Sequence, residues 1–174
     1  DLIYDWNTRG GDETAWPKAI QFDDESLRDG LQSPSVIDPP IPAKIRILHL
    51  MDRLGIDSAN LGLPGAGQRH VEAVAALARE IVRAKLKIRP NCAARTLIRD
   101  IEPILDISDE VGIPIETCTF IGSSAIRQYV EDWPLERLVQ HTGEAVGFDK
   151  EHGLPGMYVH ADTERAQADT STKR

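Results

Sequence analysis

Short apolar runs alternate with longer amphipathic stretches over most of the chain. The runs are three to six residues long, as buried strands are, and polar or glycine-rich residues bound them. The segments between successive runs are long enough for a helix, so neighbouring strands are expected to be parallel. The predicted strands lie at residues 19–22, 56–61, 86–88, 115–120 and 156–160.

The amphipathic stretches predict four helices between these strands. The first has Pro42 in its first turn and ends at Gly55. The third has Pro103 in its first turn and ends at Gly112, while the last, longer helical region restarts at Pro134. The apolar residues at helical spacing are Ile45, Leu48, Met51 and Leu54, then Val71, Val74, Ala75, Ala78, Ile81 and Val82, then Ile101, Ile104, Leu105 and Val111, and finally Leu135, Leu138, Val139, Ala145 and Val146.

This alternation predicts an α/β fold of parallel βα units. Two architectures fit the pattern, an open doubly wound sheet and part of a (β/α)8 TIM barrel. The first loop lacks the glycine patterns of nucleotide-binding sheets, and the stretch GLPGAG at residues 62–67 is equally well explained as a tight turn. A complete barrel takes about 250 residues. Five strands and four helices in 174 residues therefore predict an incomplete barrel.

The ends of the chain do not share the alternating pattern. Residues 1–18 are polar and irregular, and residues 161–174 contain no large apolar side chain. We therefore expect an irregular lead-in over 1–18, a partial TIM-barrel domain over 19–160, and a polar tail over 161–174.

Composition narrows the classes of protein that the chain can belong to. Apolar residues make up 41% and charged residues 28%, as in ordinary globular proteins. A net charge of -8 argues against binding to nucleic acid or to an anionic membrane surface. No stretch approaches the roughly 18 apolar residues of a membrane span, and the first residues lack a signal-peptide pattern. Cys92 and Cys118 are expected to be free, buried thiols, and the predicted location is the cytoplasm.

The stretch SLRDGLQS carries the most specific candidate chemistry, since it follows the first predicted strand. Asp29 offers hard oxygen ligands suited to a divalent cation, and Arg28 offers forked donors to an enolate or carboxylate. Gly30 permits a close turn, and Gln32 adds a neutral donor and acceptor. Spacing alone favours a plainer interpretation, in which Arg28 and Asp29 form an exposed ion pair on a turn.

A longer motif changes that balance. FDDESLRDGLQ resembles the first-strand signature of the metal-dependent DRE-TIM metallolyase superfamily, which includes 2-isopropylmalate, homocitrate and citramalate synthases and hydroxymethylglutaryl-CoA lyase. Further stretches agree in order, and together they resemble the 2-isopropylmalate-synthase-like branch over about residues 19–166. These are LGIDSANLGLPGAG, NCAARTLIRDIEPI, FIGSSAIRQYVEDW and MYVHADTERA.

The resemblance implies a (β/α)8 barrel that condenses acetyl-CoA, as co-substrate, with a 2-oxo acid in leucine biosynthesis. It implies that Asp29 ligates a divalent metal, Mg²⁺ or Mn²⁺ with Zn²⁺ as a further choice. It also implies that Arg28 stabilises the enolate or the 2-oxo oxygen and that Gln32 lines the same pocket. A homo-oligomer is expected, because half a barrel leaves strand edges uncovered.

Other candidates lie at the ends of the later predicted strands. Asn60 occupies a place where relatives outside this branch often have glutamate, and it is a candidate substrate contact. Arg95 could meet a substrate carboxylate together with Thr96, although Thr96 could equally cap the following helix. Ser123 is a further candidate contact, whereas Ser124 is better explained as a helix N-cap.

The fifth predicted strand ends at His160, which could face the barrel mouth as a ligand or an acid-base group. An acidic residue of the branch pattern is replaced there by Ala161, while Asp162 and Arg165 still match. In the superfamily, two histidines on a later strand complete the metal site, and that strand would lie beyond Arg174. The other histidines, His49, His70, His141 and His152, are expected to be surface or packing residues.

Three functions remain open on this evidence. The first is a 2-isopropylmalate-synthase-like condensation, and the second is a related homocitrate-synthase-like, citramalate-synthase-like or lyase reaction. The third belongs to another class, a truncated binding or assembly module without catalysis.

Overall fold

The computed structural model describes residues 19–166 as one parallel sheet with helices packed on it. Within that range the sheet has five strands in the order β1-β2-β3-β4-β5, so each strand pairs with its neighbour in sequence. The strands are β1 (Asp23–Asp24), β2 (Ser58–Asn60), β3 (Arg89–Arg95), β4 (Glu116–Gly122) and β5 (Gly156–Ala161), and the helices are α1 (Ile41–Leu54), α2 (Gln68–Ala84), α3 (Ile98–Val111), α4 (Ala125–Glu131) and α5 (Leu135–His152).

This arrangement is half of a (β/α)8 barrel, and the predicted fold class is confirmed. Every strand pair is parallel, and the register aligns Asn60 with Asn91 and Asn91 with Glu116. Because side chains alternate along a strand, residues at matched positions share one face of the sheet. The five strands therefore have a barrel-facing side that carries Asn60, Asn91 and Glu116, and an opposite side that faces the helices.

The hydrophobic core lies between the sheet and the helices. Ala59, Cys92 and Ala94 supply its strand side and are fully buried. On the helix side, four of the six predicted positions of α2 are buried, Val71 is partly buried against the core, and Val82 is exposed. The largest fully buried apolar side chains are Leu48, Leu77, Ile101, Ile104, Ile107, Ile115, Leu138 and Val74.

Helix ends follow the predicted stop signals. Gly55 and Gly112 both adopt the left-handed backbone conformation at a helix C-terminus, where their N–H groups bond carbonyls of the last turn. Such a conformation costs glycine little, because it has no Cβ. The stops predicted for α1 and α3 are therefore confirmed.

The third strand was placed wrongly by the apolar pattern. The strand is Arg89–Arg95, whereas the apolar pattern placed it at residues 86–88, which precede it. Pro90, Asn91 and alanines are poor strand formers by propensity. Here the strand is central and its residues 90–94 are all buried, so pairing on both sides outweighs propensity.

The first strand also differs from the prediction. It lies at Asp23–Asp24 rather than at 19–22, and it is only two residues long. Ile20 and Phe22, which suggested a buried strand, are 64% and 62% exposed.

Three helix predictions also need correction. The region after β4 contains two helices, α4 and α5, so five helices rather than four are present in residues 19–166. Asp132 lies between them in a left-handed conformation, and Pro134 is the N-cap of α5. Pro103 lies in the second turn of α3, because the helix already begins at Ile98. In α1 and α5 the outer apolar positions are exposed, namely Leu54, Val139 and Val146.

The predicted lead-in 1–18 and residues 167–174 of the predicted tail lie outside the described residues. Of the remaining tail, Ala161 is the last residue of β5, and Thr163–Arg165 form a 3₁₀ turn. Within residues 19–166, none of the helices is long and apolar enough to cross a membrane.

Candidate active site

The turn after β1 holds Arg28 between two acids. A guanidinium nitrogen of Arg28 lies 2.6 Å from Glu25 Oε2, and another lies 3.0 Å from Asp29 Oδ1. The turn is closed by the N–H groups of Arg28 and Gly30, which both donate to the Glu25 carbonyl at 3.1 Å. The Ser26 N–H donates to Asp24 Oδ1 at 2.8 Å. The local sequence thus fixes Arg28 at the carboxyl edge of the sheet.

Glu25 joins Arg28 to the second strand. Its Oε1 accepts a hydrogen bond from Asn60 Nδ2 at 3.2 Å, while its other oxygen meets Arg28. Asn60 is only 1% exposed, and its Oδ1 accepts the Gly62 N–H at 3.3 Å. Sequence reasoning missed Glu25. The available signal was its position three residues before Arg28, next to the strand end.

A polar band continues across the barrel-facing side of the sheet. Asn91 Nδ2 donates to Asp23 Oδ1 at 2.7 Å, and Asn91 Oδ1 is buried without a partner among the described residues. Cys118 lies on the same side. Burial raises the pKa of its thiol to about 12, and the nearby carboxylates of Glu116, Asp23 and Glu25 contribute to the rise. A thiol of that kind is protonated and unreactive at neutral pH.

Arg95 and Thr96 lie at the end of β3, as predicted. Arg95 makes two hydrogen bonds to Asp100, at 2.5 and 2.9 Å, and the bonded carboxylate raises the pKa of Arg95. Arg95 and Thr96 line a cavity of about 420 Å³, whose wall also includes Phe120. The helix-cap interpretation of Thr96 is wrong, because the N-cap of α3 is Leu97.

The end of β4 is bonded to Asp162, the residue that follows β5. The backbone N–H groups of Ser123 and Ser124 donate to Asp162 Oδ1 at 2.8 and 3.1 Å. Ser124 Oγ accepts the Arg127 N–H at 3.1 Å, which confirms Ser124 as the N-cap of α4. Ser123 Oγ is buried and has no hydrogen-bond partner within residues 19–166.

His160 is placed on the helix-facing side of β5. It lies two residues after Tyr158, and the two rings meet edge to face at 4.6 Å. The Tyr158 hydroxyl lies 3.2 Å from Thr142 Oγ1 on α5, which identifies the side that both rings share. The structure therefore does not bring His160 to the side of the sheet that carries Asn60 and Asn91.

The remaining histidines and the cysteines have the ordinary environments that were expected. His49 lies 2.6 Å from Glu80 on the next helix, and His152 stacks on Phe148 with ring centres 4.1 Å apart. His141 lies against Trp133, and His70 is exposed on the first turn of α2. The cysteines, Cys92 and Cys118, are free and buried, as predicted.

The predicted site residues thus fall into separate groups. Arg28, Asp29 and Asn60 form one group, since Arg28 pairs with Asp29 and Glu25 joins Arg28 to Asn60. Gln32 lines a cavity of about 270 Å³ together with Arg28, whereas Arg95 and Thr96 line another cavity.

Asp29 can supply one oxygen ligand to a cation, but the described residues do not form a metal cage. Its side chain is 65% exposed, and one of its oxygens is bonded to Arg28. No group of three or more histidine, cysteine or acidic side chains in residues 19–166 could hold a metal ion. A catalytic metal usually needs three or more protein ligands, so the residues present do not fit one by themselves. The metal role of Asp29 stays a prediction.

Taken together, the fold and the site define an α/β barrel-type protein with its polar residues at the carboxyl ends of the strands, the edge where such barrels carry their active sites. The family model described as HMGL-like matches residues 19–168, and the chain belongs to this family.

Curated relatives point the same way. The chain is 32% identical over 152 residues to homocitrate synthase AksA of Methanopyrus kandleri, covering 87% of the chain and 36% of that protein. It is 31% identical over 149 residues to a probable 2-isopropylmalate synthase of Methanosarcina mazei, covering 85% of the chain and 27% of that protein. A putative (R)-citramalate synthase of Methanopyrus kandleri is 26% identical over 140 residues. The chain spans between a quarter and just over a third of the length of these relatives.

Proposed function

We propose that this chain forms the first half of the active site of an enzyme that condenses acetyl-CoA with a branched-chain 2-oxo acid, as a 2-isopropylmalate synthase does. One methyl C–H bond of the acetyl group breaks and its proton goes to a base, and the methyl carbon forms a new bond to the ketone carbon. The ketone oxygen takes up a proton to become a hydroxyl, so the proton lost and the proton gained balance. Water then cleaves the thioester and releases the CoA thiol. Residues 19–160 carry the catalytic domain in this proposal, and the reaction belongs to leucine biosynthesis in the cytoplasm.

The observation that carries the proposal is that Arg28 is held in one position by two acids. The relatives of the chain are synthases of this kind, which makes that position relevant. Arg28 is held by Glu25 and Asp29 at the carboxyl edge of β1, beside the buried amide of Asn60. A guanidinium stays charged throughout and needs no reorientation when negative charge develops on the substrate oxygen. In the proposal Arg28 stabilises that oxygen, and Asp29 is the first protein ligand of a divalent metal. Gln32, Arg95, Thr96 and Ser123 stay candidates for substrate contact, whereas His160 does not, because it lies on the helix-facing side of β5.

The test is thiol release from acetyl-CoA by the complete natural gene product that contains residues 1–174. A panel of 2-oxo acids, branched and unbranched, is compared with Mg²⁺, Mn²⁺ or Zn²⁺ present. We expect release that depends on a branched 2-oxo acid, and we expect Asp29→Asn to reduce it by at least about 100-fold.

Asp109→Asn is the matched control, because it removes an acid from an exposed position on α3. It should leave thiol release unchanged. Preference for the homocitrate-synthase type of 2-oxo acid would overturn the branched substrate, in line with the relative at 32% identity. No release with any acid, from protein folded by circular dichroism, would overturn catalysis and favour a binding or assembly module.

A further inference from the structure

A cavity of about 270 Å³ lies beside the turn after β1, on the outer side of the candidate active site. Its apolar wall includes Leu61 and Val74, which belong to the core between the sheet and the helices. The polar band of Asn91 and Cys118 does not line it. Its polar lining consists of Arg28, Gln32, Asp38, Lys44, Arg69 and His70.

Positive charge exceeds negative charge in this lining. Asp38 is the one carboxylate among the described residues that line the cavity, and two cations converge on it. Lys44 Nζ lies 2.8 Å from Asp38 Oδ1, and Arg69 is ion-paired with the other oxygen. Arg28 is already paired with acids outside the cavity. Lys44 and Arg69 are therefore the two cations that could bind an additional anion in the cavity. This excess is notable in a chain whose net charge is -8.

Lys44 is the unusual member of this group. It is 6% exposed, and burial lowers the pKa of its ammonium group. A buried charge is costly unless it is fully paired. Here it shares a single carboxylate with Arg69. A second anion in the cavity would therefore relieve a deficit of negative charge.

The start of α2 adds a further source of positive potential. The cavity is lined by Arg69 and His70 from the first turn of this 17-residue helix. The N-cap residue is Gly67, which offers no side-chain acceptor, and the first turn contains no acid. Helix N-terminal N–H groups without a cap favour bound anions.

We propose that this cavity binds a phosphoryl group of a small-molecule ligand. A dianion matches two converging cations and a helix N-terminus better than a single carboxylate does, since its charge is larger and it has more acceptor oxygens. The cavity is small on the scale of ligand pockets, which suits a phosphate or diphosphate group rather than a whole nucleotide. That group can belong to a CoA-type molecule or to free phosphate or diphosphate.

The experiment is an NMR titration of the 174-residue chain with inorganic diphosphate at constant ionic strength. His70 is the reporter, because it lines the cavity, and its partial burial together with the charges of Lys44 and Arg69 lowers its pKa. We expect saturable shifts of the His70 ring signals and a rise of the His70 pKa with bound diphosphate.

Three variants decide where the anion binds. Arg69→Gln should weaken binding by about tenfold, since it removes one charge-assisted contact. Asp38→Asn should tighten binding several-fold, because it frees both cations from their present carboxylate. Arg79→Gln is the control: Arg79 is an exposed, ion-paired arginine on the same helix, and its loss should change nothing.

Two further ligands identify the source of the phosphoryl group. Binding of CoA but not of pantetheine, which lacks phosphate, would assign the cavity to a CoA-type ligand. Binding of diphosphate with no response to CoA would assign it to free phosphate or diphosphate. The proposal is overturned if diphosphate leaves His70 unchanged, or if Arg69→Gln and Arg79→Gln bind it equally. None of these binding measurements depends on turnover, so failure of this proposal would leave the proposed condensation untested and unchanged.

Discussion

At the scale of single residues, Asp149 is a carboxyl group placed where its charge is unfavourable. It is buried on α5, and its Oδ2 accepts the hydroxyl hydrogen of Thr117 at 2.6 Å. Its Oδ1 is buried without a hydrogen-bond partner among the described residues. Burial raises the pKa of Asp149, although the bond from Thr117 opposes the rise. The folded state therefore holds the Asp149 proton more tightly than the unfolded chain does.

This difference predicts a pH dependence of stability with a definite sign. A raised folded pKa contributes stability below the unfolded pKa, about 3.9 for aspartate, and that contribution is lost as pH rises through the folded pKa. Asp149→Asn cannot ionise, so its free energy of unfolding should fall less between pH 4 and pH 7 than that of the unmodified chain. Urea denaturation across this range measures it.

Asp109→Asn serves as the control for this experiment, because Asp109 is exposed. It should keep the pH dependence of the unmodified chain. Identical pH profiles for Asp149→Asn and the unmodified chain would show that Asp149 is not disfavoured in its charged form.

Candidate site residues could be predicted from sequence only where a contiguous motif carried them. Arg28 and Asp29 are adjacent in sequence, so their ion pair could be predicted from the motif alone. The bond from Asn60 to Glu25 joins residues 35 positions apart, and that from Asn91 to Asp23 joins residues 68 apart. Such partners are set by strand register, which one sequence does not display.

At the scale of elements, the glycine-rich segment after β2 is explained by packing. Gly65 lies in a 3₁₀ turn, Pro64–Ala66, that rests on the start of α3. A Cβ on Gly65 would come within 2.7 Å of Asp100 Cγ and 3.0 Å of Asp100 Cα. Asp100 is itself held by two hydrogen bonds from Arg95 and cannot easily move. Position 65 needs glycine because the turn approaches Asp100 closely. This agrees with the interpretation of residues 62–67 as a tight turn.

Gly65→Ala is therefore expected to destabilise the protein by about 1–3 kcal/mol, as overpacking does in a close-packed interior. Gly143→Ala is the matched control. Gly143 lies within α5, where an added Cβ meets nothing within 4 Å, so alanine should be neutral or stabilise by up to about 1 kcal/mol. Urea denaturation of both variants gives the comparison. Equal stabilities would contradict the close packing of Gly65.

Elements were predictable where side-chain periodicity follows burial. α2 shows a clear helical period, and its buried face matches that period. β3 could not be found in this way, because it is buried on both faces and has small and polar residues instead of an apolar run. β1 is two residues long, too short to show any period.

At the scale of the whole molecule, the half-barrel has two outer strands. In the described residues β1 and β5 each pair with a single neighbour, so each has one edge without a partner strand. Open edges of this kind recruit further strands. We predict that the 174-residue chain self-associates at micromolar concentration, with an apparent mass that falls on dilution. Light scattering coupled to gel filtration measures the mass. A monomer at all concentrations would contradict the prediction.

The central claim is that Arg28 acts on the transition state of an acetyl-CoA condensation. The most direct measurement is kcat and KM of the complete gene product with its preferred 2-oxo acid, for Arg28→Gln and for the control Arg79→Gln. We predict that Arg28→Gln lowers kcat by about 100-fold or more with KM changed far less, and that Arg79→Gln changes neither. A kcat of Arg28→Gln equal to that of the unmodified enzyme would contradict the claim.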